Sequence, residues 1–137
     1  MSLSWKALCI LNAVRWRPWL CLGDFNEILL GCEKEGGPAR PQACMDAFKE
    51  ALDDCNLSDL GYSNDPFTWW NNNHVDQNYV RERLDRAVAD GDWRARFPAF
   101  RVKNGDPKHS DHRPVIVETD WGGDELATQK GKFPFSF

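Results

Sequence analysis

Apolar residues along the chain fall into short runs, which glycine, proline or polar clusters separate. The first run, Trp5–Val14, has the length of a helix, and Ser2 or Ser4 can cap its start. A shorter run, Trp19–Leu22, closes at Gly23, as is typical of a buried strand. The first predicted elements are therefore a buried helix and a buried strand.

A helical period in the apolar residues reappears between Gln42 and Asn56. Apolar side chains recur there every three or four positions, with acidic residues and Lys49 on the opposite face. Residues 31–41 are rich in Gly, Pro and charge, which indicates a surface loop before this helix. A third, short helix is predicted over Gly91–Phe97, because Asp90 can cap its first turn.

Aromatic and β-branched residues mark the remaining predicted strands. Five segments have this composition: Leu57–Leu60, Phe67–Trp70, Tyr79–Ala89, Phe100–Lys103 and Arg113–Thr119. Residues 121–137 show no period and are predicted to form a linker or tail. The sequence thus predicts one domain over residues 1–120, with short helices and strands and no internal repeat.

Composition supports a folded domain and gives little support to a general DNA-binding surface. Of 137 residues, 42% are hydrophobic and seven are tryptophan, which is enough apolar surface for a core. The net charge is −4, so phosphate backbones are not attracted to the surface as a whole. Residues 81–113 nevertheless hold nine bases against six acids, and DNA therefore stays a weakly supported partner.

The cysteines and the apolar runs bear on the cellular compartment. Five cysteines without a CxxC pair suit neither a disulfide framework nor a zinc ribbon, and they predict reduced thiols in a cytoplasmic or nuclear protein. No apolar run is long enough to span a membrane. Lys6, Arg15 and Arg17 precede the first acid, Asp24, a pattern that mitochondrial presequences share, although a structural first helix is favoured.

Three short motifs hold candidate catalytic groups at the ends of predicted strands. They are Gly23-Asp24-Phe25-Asn26, Arg83-Leu84-Asp85-Arg86 and Ser110-Asp111-His112-Arg113-Pro114. Neighbouring strands lie about 4.8 Å apart, so side chains at their ends can converge. We therefore expect the acids, Asn26 and His112 at one end of one sheet, with Asp85 hydrogen-bonded to His112. His74 and His109 lack acidic partners of this kind and are interpreted as surface loop residues.

A fourth motif, Phe67-Thr68-Trp69, lies between the first and second of these motifs in the chain. Together the motifs resemble the endonuclease/exonuclease/phosphatase superfamily. The chain is most similar to the endonuclease domain of plant LINE-type (non-LTR) retrotransposon polyproteins, and the resemblance covers nearly all of it. It implies an α+β fold, half of a four-layer α/β-sandwich, with a mostly antiparallel sheet and flanking helices. The activity that it implies is Mg²⁺-dependent hydrolysis of a phosphodiester.

The resemblance also implies a role for each motif residue. His112 would be the general base or a phosphate contact, oriented by a hydrogen bond to Asp85 that fixes its tautomer. Asp24 would position or protonate the attacking or leaving oxygen, and Asn26 would donate to the phosphate as a catalytic and substrate-binding group. The metal ligand would be Asp111. Thr68 would contact the DNA backbone.

Members of the family begin with a further half-domain, which carries the glutamate that is the principal metal ligand. This sequence starts near the middle of that fold, at the helix before Asp24. Mg²⁺ binds weakly to one or two carboxylates without further ligands, so we expect weak or no Mg²⁺ binding in the isolated chain. The isolated monomer is accordingly expected to be inactive, with an apolar inner face that needs a cover.

Two functions follow from this comparison. The first, preferred because the glutamate is absent, is a retrotransposon-derived, non-catalytic module that regulates or binds another protein or a second copy. The alternative is a Mg²⁺-dependent DNA endonuclease or phosphodiesterase whose site is completed by a second copy or a partner. The retained acids and His112 favour the alternative. An inert pseudogene product is the third hypothesis.

Overall fold

The computed structural model describes residues 3–14, 18–71, 76–108, 110–120 and 126–129. Ser2, His74 and His109, and most of the predicted tail, lie outside the described residues. The fold is mixed α/β, with mostly antiparallel strands in small sheets, as the predicted α+β class requires. Its three helices are α1 (Leu3–Val14), α2 (Gln42–Asp54) and α3 (Gly91–Arg96).

The described strands form three antiparallel sheets of three strands each. In chain order they are β1 (Leu20–Asp24), β2 (Lys34–Glu35), β3 (Ser58–Asp59), β4 (Trp69–Trp70), β5 (Arg81–Glu82), β6 (Asp85–Ala89), β7 (Arg101–Asn104), β8 (Val115–Asp120) and β9 (Leu126–Gln129). The strand orders are β1-β6-β3, β2-β5-β4 and β7-β8-β9. Among the described residues, no helix has the length and apolar character needed to cross a membrane.

Strand β6 lies between two hydrophobic clusters, and each of its five residues is buried. Val88 packs with Leu8 of α1 and Phe48 of α2. Ala87 and Ala89 pack on the opposite side with β7 and β8. Successive side chains of a strand point to opposite faces, so this alternation places α1 and α2 on one face of the β1-β6-β3 sheet and β7, β8 and Trp93 of α3 on the other.

The prediction of one continuous strand over Tyr79–Ala89 is wrong. The segment divides into β5 and β6, which belong to different sheets. The reason is a side chain: the N–H groups of Leu84 and Asp85 donate to Oγ1 of Thr68 at 3.0 and 2.9 Å, instead of to a neighbouring strand. Strand pairing therefore changes at this point.

Residues 31–41 are more ordered than the predicted surface loop. They contain a 3-10 turn, Gly31–Glu33, and the short strand β2, which pairs with β5. The N–H of Arg83 also donates to the carbonyl of Glu33 at 2.9 Å. Of the predicted tail, the structure describes Leu126–Gln129, which form β9 beside β8.

The predicted cap of α3 is confirmed and supports a prediction on stability. Oδ1 of Asp90 accepts hydrogen bonds from the N–H of Trp93 at 2.8 Å and from the N–H of Trp19 at 3.3 Å. Asp90→Ala should therefore lower the free energy of unfolding by about 1–2 kcal/mol, measured by urea denaturation. Asp92→Ala, at an exposed position of the same helix, should cost less than about 1 kcal/mol. Equal losses in the two variants would contradict the capping role.

Candidate functional site

The ends of β1 and β6 bring two of the predicted acids together. Asp24, the last residue of β1, is paired in register with Asp85, the first residue of β6. The segment with the predicted histidine reaches this point through β4: Trp69 forms a bridge with His112, and the N–H of Trp70 donates to the carbonyl of Asp111 at 3.3 Å. The site thus combines the end of the first sheet with a loop beside the second, and not the end of one sheet.

The predicted hydrogen bond between Asp85 and His112 is confirmed. Nδ1 of His112 lies 2.9 Å from Oδ2 of Asp85. The carboxylate of Asp85 is buried, whereas the imidazole is 32% exposed. A neutral imidazole that donates from Nδ1 to a carboxylate carries its lone pair on Nε2, so the contact fixes the tautomer. Asp85 thereby leaves the basic lone pair on Nε2 of a partly exposed ring.

Two further acids lie beside that nitrogen. Nε2 of His112 is 3.9 Å from Oδ2 of Asp24 and 4.0 Å from Oδ1 of Asp111. Both distances exceed a hydrogen bond but allow electrostatic attraction.

Burial and charge change the proton affinity of all three central groups. Burial lowers the pKa of His112, but the hydrogen bond and charge of Asp85 and the charges of Asp24 and Asp111 outweigh it, so the net pKa is raised. Burial raises the pKa of Asp24 and of Asp85, and their hydrogen bonds only partly offset this effect. The cluster therefore holds protons more tightly than the same groups in water.

Thr68 is a buried residue that holds two segments of the site in place. Its hydroxyl accepts the N–H groups of Leu84 and Asp85, and its carbonyl accepts the N–H of Arg113 at 2.7 Å. The family resemblance predicts that Thr68 contacts the DNA backbone, whereas the exposed fraction of this residue is 0%. In this structure Thr68 positions the aspartate and the histidine segment from a buried place, and its contact with DNA stays a prediction.

Asn26 sits in the turn that follows β1. Its N–H donates to Oδ1 of Asp24 at 2.8 Å, and its backbone is in the left-handed region, with φ 55°. Asn26 is exposed. The residue therefore lies next to the aspartate and at the surface, as a contact to a phosphate requires.

A buried ion-pair network next to the site was missed in the sequence. Arg86 is buried and contacts Glu33 and Asp59 at 3.0 Å each, and Arg83 contacts the same two acids at 2.9 and 2.7 Å. These arginines flank Asp85 in the chain. A buried arginine requires paired acids, but the spacing in sequence does not reveal which acids they are.

The described residues provide a limited set of donors for a divalent cation. Ligand atoms of Asp24, Asp85 and His112 lie within 4.8 Å of one another. Oδ2 of Asp85 is hydrogen-bonded to His112, whereas the side chain of Asp111 is 45% exposed and has no hydrogen bond to a described residue. Mg²⁺ prefers oxygen donors and accepts one or two carboxylates when phosphate oxygens and water complete its shell. Asp111 fits that requirement.

Comparison with models of known protein families found no match. A comparison with curated proteins found no match either. The functional assignment therefore rests on the geometry of the site and on the motifs.

The contact between Asp85 and His112 gives a second prediction. Asp85→Asn removes the hydrogen-bonded charge that raises the histidine pKa, so the pKa of His112 should fall. NMR titration of the ring protons measures this value, and His112→Ala identifies the signal. Asp53→Asn, an exposed site on α2, serves as the control and should leave the titration unchanged. An unchanged His112 pKa in Asp85→Asn would contradict the hydrogen-bonded pair.

Proposed function

We propose that this chain carries the histidine–aspartate part of a Mg²⁺-dependent phosphodiesterase site that acts on DNA, of the endonuclease/exonuclease/phosphatase type. The observation that carries the proposal is the 2.9 Å contact between Nδ1 of His112 and the buried Asp85. It leaves the lone pair on Nε2, which lies 3.9 and 4.0 Å from two further acids. Such a pair is the arrangement that general-base catalysis uses to activate water.

In the proposed reaction, Nε2 of His112 takes a proton from the water that attacks phosphorus. Asp85 stabilises the imidazolium that forms, because its carboxylate accepts a hydrogen bond from the Nδ1–H group. Asp24 lies 3.9 Å from Nε2, and its raised pKa suits a group that delivers a proton to the leaving oxygen. Asn26, exposed beside Asp24, donates to a phosphate oxygen.

Asp111 is the residue that would hold Mg²⁺, together with phosphate oxygens of the substrate. The bound cation would offset negative charge on the phosphate oxygens. One carboxylate gives weak affinity for Mg²⁺ unless further ligands complete its shell.

The preferred prediction from the sequence, a non-catalytic interaction or regulatory module, stays a prediction. The ordered pair of Asp85 and His112 favours the catalytic alternative, in which a second copy or a partner supplies the remaining groups. The imidazole is partly exposed, so such a partner can reach it. We further propose that the packing of helices and strands on β6 is half of the four-layer sandwich, inherited from a plant LINE-type retrotransposon.

Nicking of supercoiled plasmid tests the proposal. We expect nicking with Mg²⁺ or Mn²⁺ that chelation abolishes and that rises faster than linearly with chain concentration, because two copies complete one site. At concentrations where the chain is monomeric, nicking should stay at background. No metal-dependent nicking at any concentration, alone or with a partner, would refute the catalytic function and return the preference to a binding module.

A further inference from the structure

Arg40 joins three parts of the chain at the edge of the candidate site. Its Nε and Nη2 donate to the two carboxylate oxygens of Glu82 at 2.8 and 3.0 Å. Its Nη1 donates to the backbone carbonyl of Asn26 at 3.2 Å and lies 3.6 Å from Oε2 of Glu27. One guanidinium thereby links the loop before α2, strand β5 and the turn after β1.

The turn at Asn26 depends on contacts from outside it. A left-handed backbone is uncommon for residues other than glycine, and it persists where surrounding groups hold it. The N–H of Asn26 is held by Asp24, and its carbonyl is held by Arg40. Both backbone polar groups of Asn26 are therefore fixed: the carboxylate of Asp24 holds its N–H, and Arg40 holds its carbonyl.

Burial of the acids sets the direction of the guanidinium. Glu82 and Glu27 are both buried, so each needs a cation or hydrogen-bond donors nearby. The two parallel hydrogen bonds to Glu82 fix the plane of the guanidinium, which directs Nη1 at the carbonyl of Asn26. Lys34 also lies 3.9 Å from Glu82, but an ammonium has no such planar fork.

We propose that Arg40 is a positioning residue for the site: it fixes the turn that carries Asn26 and Asp24 toward the phosphate. This inference rests on the proposed phosphodiesterase function. Asn26 and Asp24 act on the same phosphate, so a small displacement of their turn misaligns both. A misplacement of about 1 Å costs on the order of 100-fold in rate.

Arg40→Lys tests this role, because lysine keeps the positive charge beside both buried glutamates but cannot make all three hydrogen bonds. Hydrogen exchange at the amide of Asn26 should become faster by about tenfold, whereas exchange in α2 should not change. The kcat for plasmid nicking should fall by about 10-fold to 100-fold. The KM for DNA should stay within about twofold, because many backbone contacts set ground-state affinity. Rates are divided by the folded fraction from urea denaturation.

Arg81→Lys is the matched control, since Arg81 neighbours Glu82 in β5 but pairs with Glu35 and stacks on Phe67. It should change neither exchange at Asn26 nor kcat. Wild-type exchange at Asn26 in Arg40→Lys overturns the proposal, and so does faster exchange with an unchanged kcat. If the wild-type chain does not nick, the proposed function fails separately. The exchange measurement then still decides whether Arg40 holds the turn: faster exchange supports this structural part of the proposal, and unchanged exchange overturns it.

Discussion

His112→Ala is expected to reduce metal-dependent nicking by about 100-fold to 10,000-fold, the usual contribution of a general base. The variant removes the nitrogen that takes the proton from water and leaves Asp85 without its partner. The fold should persist, because the ring is partly exposed and the bridge to Trp69 uses the backbone of residue 112. Initial rates on supercoiled plasmid, at the metal concentration that saturates the wild-type chain, measure the loss.

The control for this variant is Asp106→Asn, whose side chain is 96% exposed and lies in the same loop without contacting His112. Its nicking rate should equal that of the wild-type chain. A His112→Ala chain that nicks at the wild-type rate would remove the histidine from the mechanism, and any activity would then require another base.

Glu33→Ala is expected to lower the free energy of unfolding by about 3–5 kcal/mol, the loss typical when one partner of a buried ion pair is removed. Oε1 of Glu33 contacts Arg86 at 3.0 Å, and Oε2 contacts Arg83 at 2.9 Å. Without them, two buried guanidinium groups share the single carboxylate of Asp59. A typical domain has only about 5–15 kcal/mol of stability, so the loss should be visible in urea denaturation.

The matched control is Asp53→Ala, which breaks an exposed pair with Lys49 one helical turn away. Exposed pairs of this kind contribute about 0.3–0.5 kcal/mol, so the unfolding curve should hardly move. If both substitutions had the same small effect, the network at Arg86 would not stabilise the fold. In that case desolvation of the arginines would cancel the attraction.

Local features of the fold could be predicted from the sequence because they depend on neighbouring residues. The helical period over 42–56 and the cap at Asp90 are of this kind, and both were confirmed in α2 and α3. The strand Tyr79–Ala89 was mispredicted, since its interruption depends on the hydroxyl of Thr68, far away in the chain. Composition alone does not show where a side chain replaces a strand partner.

In the candidate site, too, the sequence predicts the motif residues but not the contacts between distant parts of the chain. The motifs named Asp24, Asp85 and His112, and the structure places their ligand atoms within 4.8 Å of one another. The supporting contacts of Arg40 with Glu82 span 42 positions, and no local pattern indicates them. Such pairs become apparent only when the sheets assemble, because burial and geometry select the partners.

The most direct measurement of the central claim is the pH dependence of nicking in the wild-type chain and in Asp85→Asn. If His112 is the base, the rate rises with pH as the imidazolium loses its proton, with a midpoint equal to the raised pKa of His112 from NMR. In Asp85→Asn both the midpoint and the NMR value should move down by the same amount, because the carboxylate no longer stabilises the imidazolium. A rate profile that stays in place while the NMR pKa of His112 falls would show that His112 is not the base.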